Sequence, residues 1–103
     1  MVEKYNPITN TWTRVADIPT PRSNLAAVAI NGKIYAMGGL QDSVGVTYIT
    51  EEYDVASNKW KKVAYSGTER EGHTASVVNN KIYTIGGWDR YSNLEEVVEE
   101  FIP

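Results

Sequence analysis

Apolar residues along this chain fall in short runs separated by turn formers. Residues 25–30 and 33–37 are two such runs joined by Asn31-Gly32, and an Asn-Gly pair between apolar runs is the strongest short hairpin signal. Residues 74–78 and 81–85 repeat the arrangement around Asn79-Asn80. Runs this short, bounded by turn residues and rich in β-branched and aromatic side chains, predict strands. Third strands are expected near residues 49–53 and 97–101. Fourth strands are expected near 11–15 and 59–63, where Trp12-Thr13-Arg14-Val15 and Trp60-Lys61-Lys62-Val63 interleave tryptophan with charge. The intervening segments 6–10 and 54–58 are turn material.

These strands recur with a fixed period. Tyr5 aligns with Tyr53, Asn10 with Asn58, Trp12 with Trp60, Val15-Ala16 with Val63-Ala64, and Arg22 with Arg70. Lys33-Ile34-Tyr35 aligns with Lys81-Ile82-Tyr83, Gly38-Gly39 with Gly86-Gly87, and Glu51-Glu52-Tyr53 with Glu99-Glu100-Phe101. The offset is 60 − 12 = 48 near one end and 86 − 38 = 48 near the other, without a gap. A period of this size points to propeller blades or a solenoid. Composition is also graded across each unit. The first strand is small (Ala26, Ala27, Ala29; Ala75, Ser76), and the second is apolar on both faces (Ile34, Tyr35, Met37; Ile82, Tyr83, Ile85). A strand covered by sheets on both sides needs the second property, and sheets converging on an axis need the first. The expected fold is all-β: four-stranded antiparallel β-propeller blades, about two per chain.

Composition narrows the chemistry. A chain of 103 residues allows one small domain. With no cysteine, disulfides, thiolate metal sites and thiol catalysis are excluded. A net charge of −3 supplies no basic field for nucleic acid or anionic lipid. No apolar run approaches the ~20 residues of a spanning helix, and residues 1–10 lack the pattern of a signal peptide, so a soluble chain without a membrane partner is expected; the compartment stays open.

Pro21-Arg22, the Asn-Gly hairpin, Lys33-Ile34-Tyr35-Ala36-Met37-Gly38-Gly39, Tyr53 and Trp60 resemble a kelch repeat, and the shifted set from Arg70 to Phe101 resembles a second. On this resemblance residues 2–19 are the third and fourth strands of a blade, 20–65 a complete blade, and 69–103 the first three strands of another. Glu69-Arg70 replaces Pro-Arg, and the second repeat stops after its third strand. The resemblance implies that Tyr5, Trp12, Tyr35, Tyr53, Trp60, Tyr83 and Phe101 pack the blades, with Gly38, Gly39, Gly86 and Gly87 at positions that exclude a side chain or turn φ positive.

Alternating strand directions put the loops between strands two and three on the same face as those between strands four and one. That face is expected to gather Arg22, Asn24, Gln41, Asp42, Arg70, His73, Trp88, Asp89, Arg90 and Tyr91. Arg22 and Arg70 suit either anion contact through guanidinium or hydrogen bonds to carbonyls of the adjacent blade. In kelch-type adaptors that grip acidic motifs, a pocket side chain follows the Pro-Arg arginine by two residues. Asn24 and Gly72 hold those positions, so a strongly basic pocket is not expected. His73, the single histidine, suits packing or a channel lining better than a metal site, which needs several ligands. Glu95-Glu96 and Glu99-Glu100 are read as a solvated strand face. The glycine pairs open no helix and precede no Lys-Ser/Thr, so they are not a phosphate cradle. No catalytic, metal or cofactor constellation emerges.

The function expected is therefore a non-catalytic module holding a protein or peptide. Kelch-like propellers also occur in copper-radical oxidases and sialic-acid epimerases. The first needs a cysteine that this chain lacks; a sugar-active fragment of the second kind, or an inert propeller piece, is the alternative. Closed propellers use about four to eight blades, so several chains are expected to assemble. Three two-blade chains are the first choice, with two or four as alternatives. Because 103 − 2 × 48 = 7, residues 97–103 repeat the role of residues 1–7.

Overall fold

A computed structural model of the chain describes residues 1–63 and 68–103; Ala64 and the end of the 20–65 unit lie outside the described residues. Among the described residues there are eleven strands and no helix. They are β1 Val2–Asn6, β2 Thr11–Val15, β3 Ala26–Ile30, β4 Lys33–Met37, β5 Leu40–Gln41, β6 Gly45–Val46, β7 Thr50–Asp54, β8 Lys59–Val63, β9 Thr74–Val78, β10 Lys81–Ile85 and β11 Val98–Phe101. One sheet has the order β3-β4-β7-β8, a second β9-β10-β11, and β1-β2 and β5-β6 are separate hairpins. Every pairing is antiparallel. The four-stranded sheet is a complete blade, called blade 1, and the three-stranded sheet repeats its first three strands as blade 2. The expected third strands begin one residue later, at Thr50 and Val98. The small β5-β6 hairpin lies within residues 40–48, where the apolar pattern predicts only a loop. Left-handed Ser43 (φ 63°) and Gly45 (φ 107°) fold that segment back on itself.

The turn chemistry explains the long hairpins. Asn31 and Gly32 (φ 50° and 75°) and Asn79 and Asn80 (φ 50° and 61°) are left-handed at both central positions. Turns with that conformation match the strand twist, and Asn and Gly tolerate it with least strain. The outer hairpins are equally regular. Tyr5 pairs with Trp12 and Tyr53 with Trp60 across their strands. The ring centroids are 5.1 Å and 5.0 Å apart, tilted by 43° and 41°. Each tyrosine hydroxyl donates to the side-chain oxygen of a left-handed asparagine, Asn10 or Asn58, at 2.7 Å. The β1-β2 hairpin is thus the outer half of a blade.

The core lies between the two blades. Ile30, Tyr35 and Met37 of blade 1 meet Ile82 of blade 2, flanked by Val28, Ala75 and Phe101. Tyr35 and Phe101 meet edge-on at 5.9 Å. Each large apolar side chain buried here contributes about 1.5 to 3 kcal/mol. The inner strands β3 and β9 lie side by side, which their alanines permit. The tyrosine that closes this core is anchored at its polar end. Its hydroxyl donates to Glu52 at 2.7 Å, and burial followed by that bond pushes the Tyr35 pKa up to about 12. Burial opposes the Glu52 charge, yet the bond from Tyr35 and the cations of Lys33 and Lys61 hold its pKa below the usual carboxylate value.

The β1-β2 hairpin docks on blade 1 through two hydrogen bonds. The Trp60 indole donates to the Ala16 carbonyl at 2.9 Å, and the Ala16 amide donates to Asn58 at 2.9 Å. Trp12 holds the same station as Trp60 but is 66% exposed. Its expected packing between blades is not made, nor is that of the exposed Tyr5, because no sheet covers the hairpin's outer side among the described residues. Trp60→Ala is expected to cost about 3 kcal/mol, whereas Trp12→Ala in the monomeric chain should cost about 1 kcal/mol, the contribution of its ring contact with Tyr5. Urea-denaturation midpoints of the two variants check the difference.

Candidate binding face

The loops cluster as strand alternation requires. Ser23 bridges to Leu40 and Glu71 to Trp88, which ties the segment before each first strand to the segment after each second strand. The two blades are then cross-linked at this end. The Gly39 amide donates to the Arg70 carbonyl and the Gly72 amide to the Asn24 carbonyl, both at 2.9 Å. The Asn24 side chain donates to Glu71 at 3.1 Å. Gln41, Asp42, Trp88, Asp89, Arg90 and Tyr91 sit on these loops, around the same end of the blades.

Arg22 and Arg70 do not lie on the surface of that face. Their side chains are buried inside the blades. Arg22 donates to the carbonyls of Gly38 (2.7 Å), Ile49 (2.6 Å) and Ala36 (3.0 Å) and to Glu51 (3.1 Å). Arg70 repeats this toward the Gly86 and Val97 carbonyls (3.2 Å and 2.7 Å), the Thr84 hydroxyl and Glu99 (both 2.6 Å). Neither guanidinium is available to an acidic ligand, and the carbonyls it satisfies belong to its own blade rather than the adjacent one. The reason is local. The chain leaves strand two at the glycine pair and returns at strand three, bringing together carbonyls that a planar guanidinium fork can reach at once. The partners Glu51 and Glu99 correct a second expectation. Glu51 is buried, and Glu99, within the acidic run read as solvated, neutralises Arg70.

His73 is also internal. It packs between the blades, with Cε1 only 2.7 Å from where a Cβ on Gly38 would stand, so Gly38 has to lack a side chain. Its Nδ1 has no hydrogen-bond partner among the described residues. Burial, then the nearby Arg70, lower its pKa; a hydrogen bond to Met37 opposes this, and Arg22 adds to the lowering.

The residues left on the surface are those of the loops. Asp89 organises its own loop by accepting from the Tyr91 and Asn93 amides at 2.8 Å and 3.0 Å, and the bond from Asn93 lowers its pKa. Arg90 is held by Glu69. Tyr91, Trp88, Leu94, Tyr48 and Val44 are exposed. A cleft of about 700 Å3 runs between the two blades, lined by Gln41, Val44, Tyr48, Lys62, Glu69 and Arg90 among others. No group of three or more metal-ligating side chains converges among the described residues. Sequence reasoning missed Glu51, Glu52 and Glu99. The recurrence of Glu51 at Glu99, 29 residues after Arg22 and Arg70 respectively, is the signal that could have found the buried pairs.

A complete four-stranded antiparallel blade, a second that packs on it through small inner strands, and paired glycines at the seam define the β-propeller class. The family described as Kelch motif matches residues 21–66 and 69–103, and the chain belongs to it. It is 50% identical over 38 residues to Kelch-like ECH-associated protein 1B of Danio rerio, covering 37% of this chain and 6% of that protein. It is 44% identical over 48 residues to Kelch-like protein terF of Aspergillus terreus, covering 47% of this chain and 10% of that protein. The solved structure of YjhT superposes with a TM-score of 0.71 at 30% identity, over 78% of this chain and 25% of that one. The chain thus spans a small part of these relatives.

Removing one partner of a buried ion pair costs about 3 to 5 kcal/mol. Arg22→Ala should destabilise by that amount and Glu51→Gln by less, since an amide oxygen still accepts; chemical denaturation measures both. The His73 ring, neutral in the fold, makes a pH prediction. With its folded pKa below the unfolded value of 6.5, the unfolded chain binds more protons as pH falls through 6.5, so stability is full above that pH and declines below it. His73→Leu, which places in blade 2 the residue that Leu25 supplies in blade 1, should flatten the slope of melting temperature between pH 7.5 and 5.

Proposed function

We propose that the chain is a non-catalytic kelch propeller module that binds protein or peptide on the face made by residues 40–48 and 88–95, within a propeller assembled from several chains, three by preference. The observation that carries the reading is the set of large side chains on that face. Tyr48, Trp88, Tyr91, Leu94 and Val44 are exposed on loops whose backbones are fixed by Asp89, the β5-β6 hairpin and the Ser23 and Glu71 bridges. Tyrosine and tryptophan dominate binding energies where a partner covers them, and loops on a rigid scaffold are where recognition resides. The burial of Arg22, Arg70 and His73 supports the non-catalytic part, since the groups that an acid/base sugar enzyme would use are occupied inside the blades.

An array of peptides and glycans probed with the purified protein tests this. Selective peptide retention is expected. Tyr91→Ala and Trp88→Ala should each weaken it about 30-fold, the equivalent of about 2 kcal/mol, with an unchanged melting temperature. Glycan retention alone would transfer the assignment to a sugar-active propeller, and silence on both arrays would mark the piece as inert.

A further inference from the structure

The contact between blades 1 and 2 can be compared, station by station, with the surfaces that remain open. On the side of blade 1 covered by blade 2, Ile30 and Met37 are 7% and 1% exposed; at the same stations on the free side of blade 2, Val78 and Ile85 are 53% and 45% exposed. Gly38 has the Arg70 carbonyl and His73 against its Cβ position, at 2.7 Å each, whereas Gly86 has nothing nearer than the Glu95 carbonyl at 3.9 Å. Blade 2 therefore presents the surface that blade 1 buries, with room left at the glycine.

The matching surface lies at the other end of the molecule. The face of blade 1 that points away from blade 2 carries Leu25, Ala27, Ile34 and Tyr53, the counterparts of His73, Ala75, Ile82 and Phe101 that blade 2 packs on blade 1. These side chains line an open cleft of about 510 Å3 whose far wall is Met1 and Val2. The outer strand of that unfinished blade is already seated. β2 is docked on blade 1 through Ala16, Asn58 and Trp60, while its pairing partner is β1. In blade 2, β11 is paired only with β10 among the described strands. β11 and β1 hold the same station, with Val98, Glu99, Glu100 and Phe101 corresponding to Val2, Glu3, Lys4 and Tyr5.

We propose that a second copy of this chain docks blade 2 into this cleft, and that its β11 displaces β1 from β2. The completed sheet runs β9-β10-β11 from one copy and β2 from the next, in the order that blade 1 shows with β3-β4-β7-β8. Transferring the Tyr53↔Trp60 and Glu52↔Lys61 register by 48 residues sets Phe101 opposite Trp12 and Glu100 opposite Thr13 of the neighbouring copy. Val78, Tyr83 and Ile85 then meet the neighbour's Ile34, Ala27 and Leu25 face, and Leu25 fills the room over Gly86. This rests on the reading that several chains build the propeller, and it names the joint between them.

The chain has no cysteine of its own, so introduced pairs report pairing without background. Oxidised Thr13→Cys/Glu100→Cys protein is expected to give covalently linked chains in denaturing, non-reducing electrophoresis. Oxidised Lys4→Cys/Thr13→Cys protein, whose sites face each other within one chain, traps β1 on β2 and is expected to remain monomeric in native mass spectrometry, assembling only after reduction. Ile85→Glu changes an exposed position in the single chain, so it should still unfold cooperatively in urea, with a midpoint independent of protein concentration, and abolish assembly. Assembly of the wild-type chain with no intermolecular disulfide in the oxidised Thr13→Cys/Glu100→Cys protein, or unimpaired assembly of Ile85→Glu, would overturn the proposed joint while leaving multi-chain assembly standing. A wild-type chain that is folded and monodisperse at 11.5 kDa overturns both. Peptide retention on the array is read separately and survives either result.

Discussion

A guanidinium inside a β-blade ties the loop face to the core. Arg22 reaches strand two at Ala36, the glycine turn at Gly38, the approach to strand three at Ile49 and the carboxylate of Glu51. One side chain thus fixes where the chain leaves the sheet, where it returns and how far the loop between those points can swing. Arg70 does the same in blade 2. The burial is tolerable because the charge is matched by a carboxylate and both terminal nitrogens of Arg22 meet carbonyls, although its Nε has no partner among the described residues. The guanidinium thereby anchors the roots of residues 40–48 and 88–95, whose internal shape is kept by the β5-β6 hairpin, Asp89 and the Ser23 and Glu71 bridges.

The paired glycines act at the same place on a different scale. Gly38 turns left-handed (φ 65°) and also lies against the Arg70 carbonyl and His73 of the next blade. The position therefore serves turn geometry and close approach together, and only a residue without a Cβ meets both demands. Its neighbour's amide crosses the seam to the Arg70 carbonyl. The buried arginine of one blade thereby provides, through its backbone, the hydrogen bond that aligns the blade before it.

The strands, hairpins and inward gradation of side-chain size were legible because each is written in local pattern: apolar runs, Asn-Gly and Asn-Asn turns, alanines in β3. The 48-residue self-match made the blade count legible as well. The interior of the site was not legible by the same means. Arg22 and Glu51 are polar, and polar side chains are placed outside by default because an unpaired buried charge is so costly. What reverses the expectation is a partner 29 residues away on another strand, which hydropathy cannot register and only the recurrence in blade 2 hints at. The exposure of Trp12 was hidden for the opposite reason. Repetition predicts equal roles for equal stations, whereas Trp60 has the Ala16 carbonyl beside it and Trp12 lies on the uncovered side of a hairpin.

The pairing pattern has a kinetic side. Within blade 1 each strand pairs with the one before it among the long strands, and β5-β6 folds up within the single long connection. Closing such short loops costs little chain entropy. Blade 1 can therefore close from contiguous chain and then offer Ile30, Tyr35 and Met37 as a template on which β9, β10 and β11 collect. In order of synthesis blade 1 is complete before blade 2 and offers the surface on which blade 2 packs.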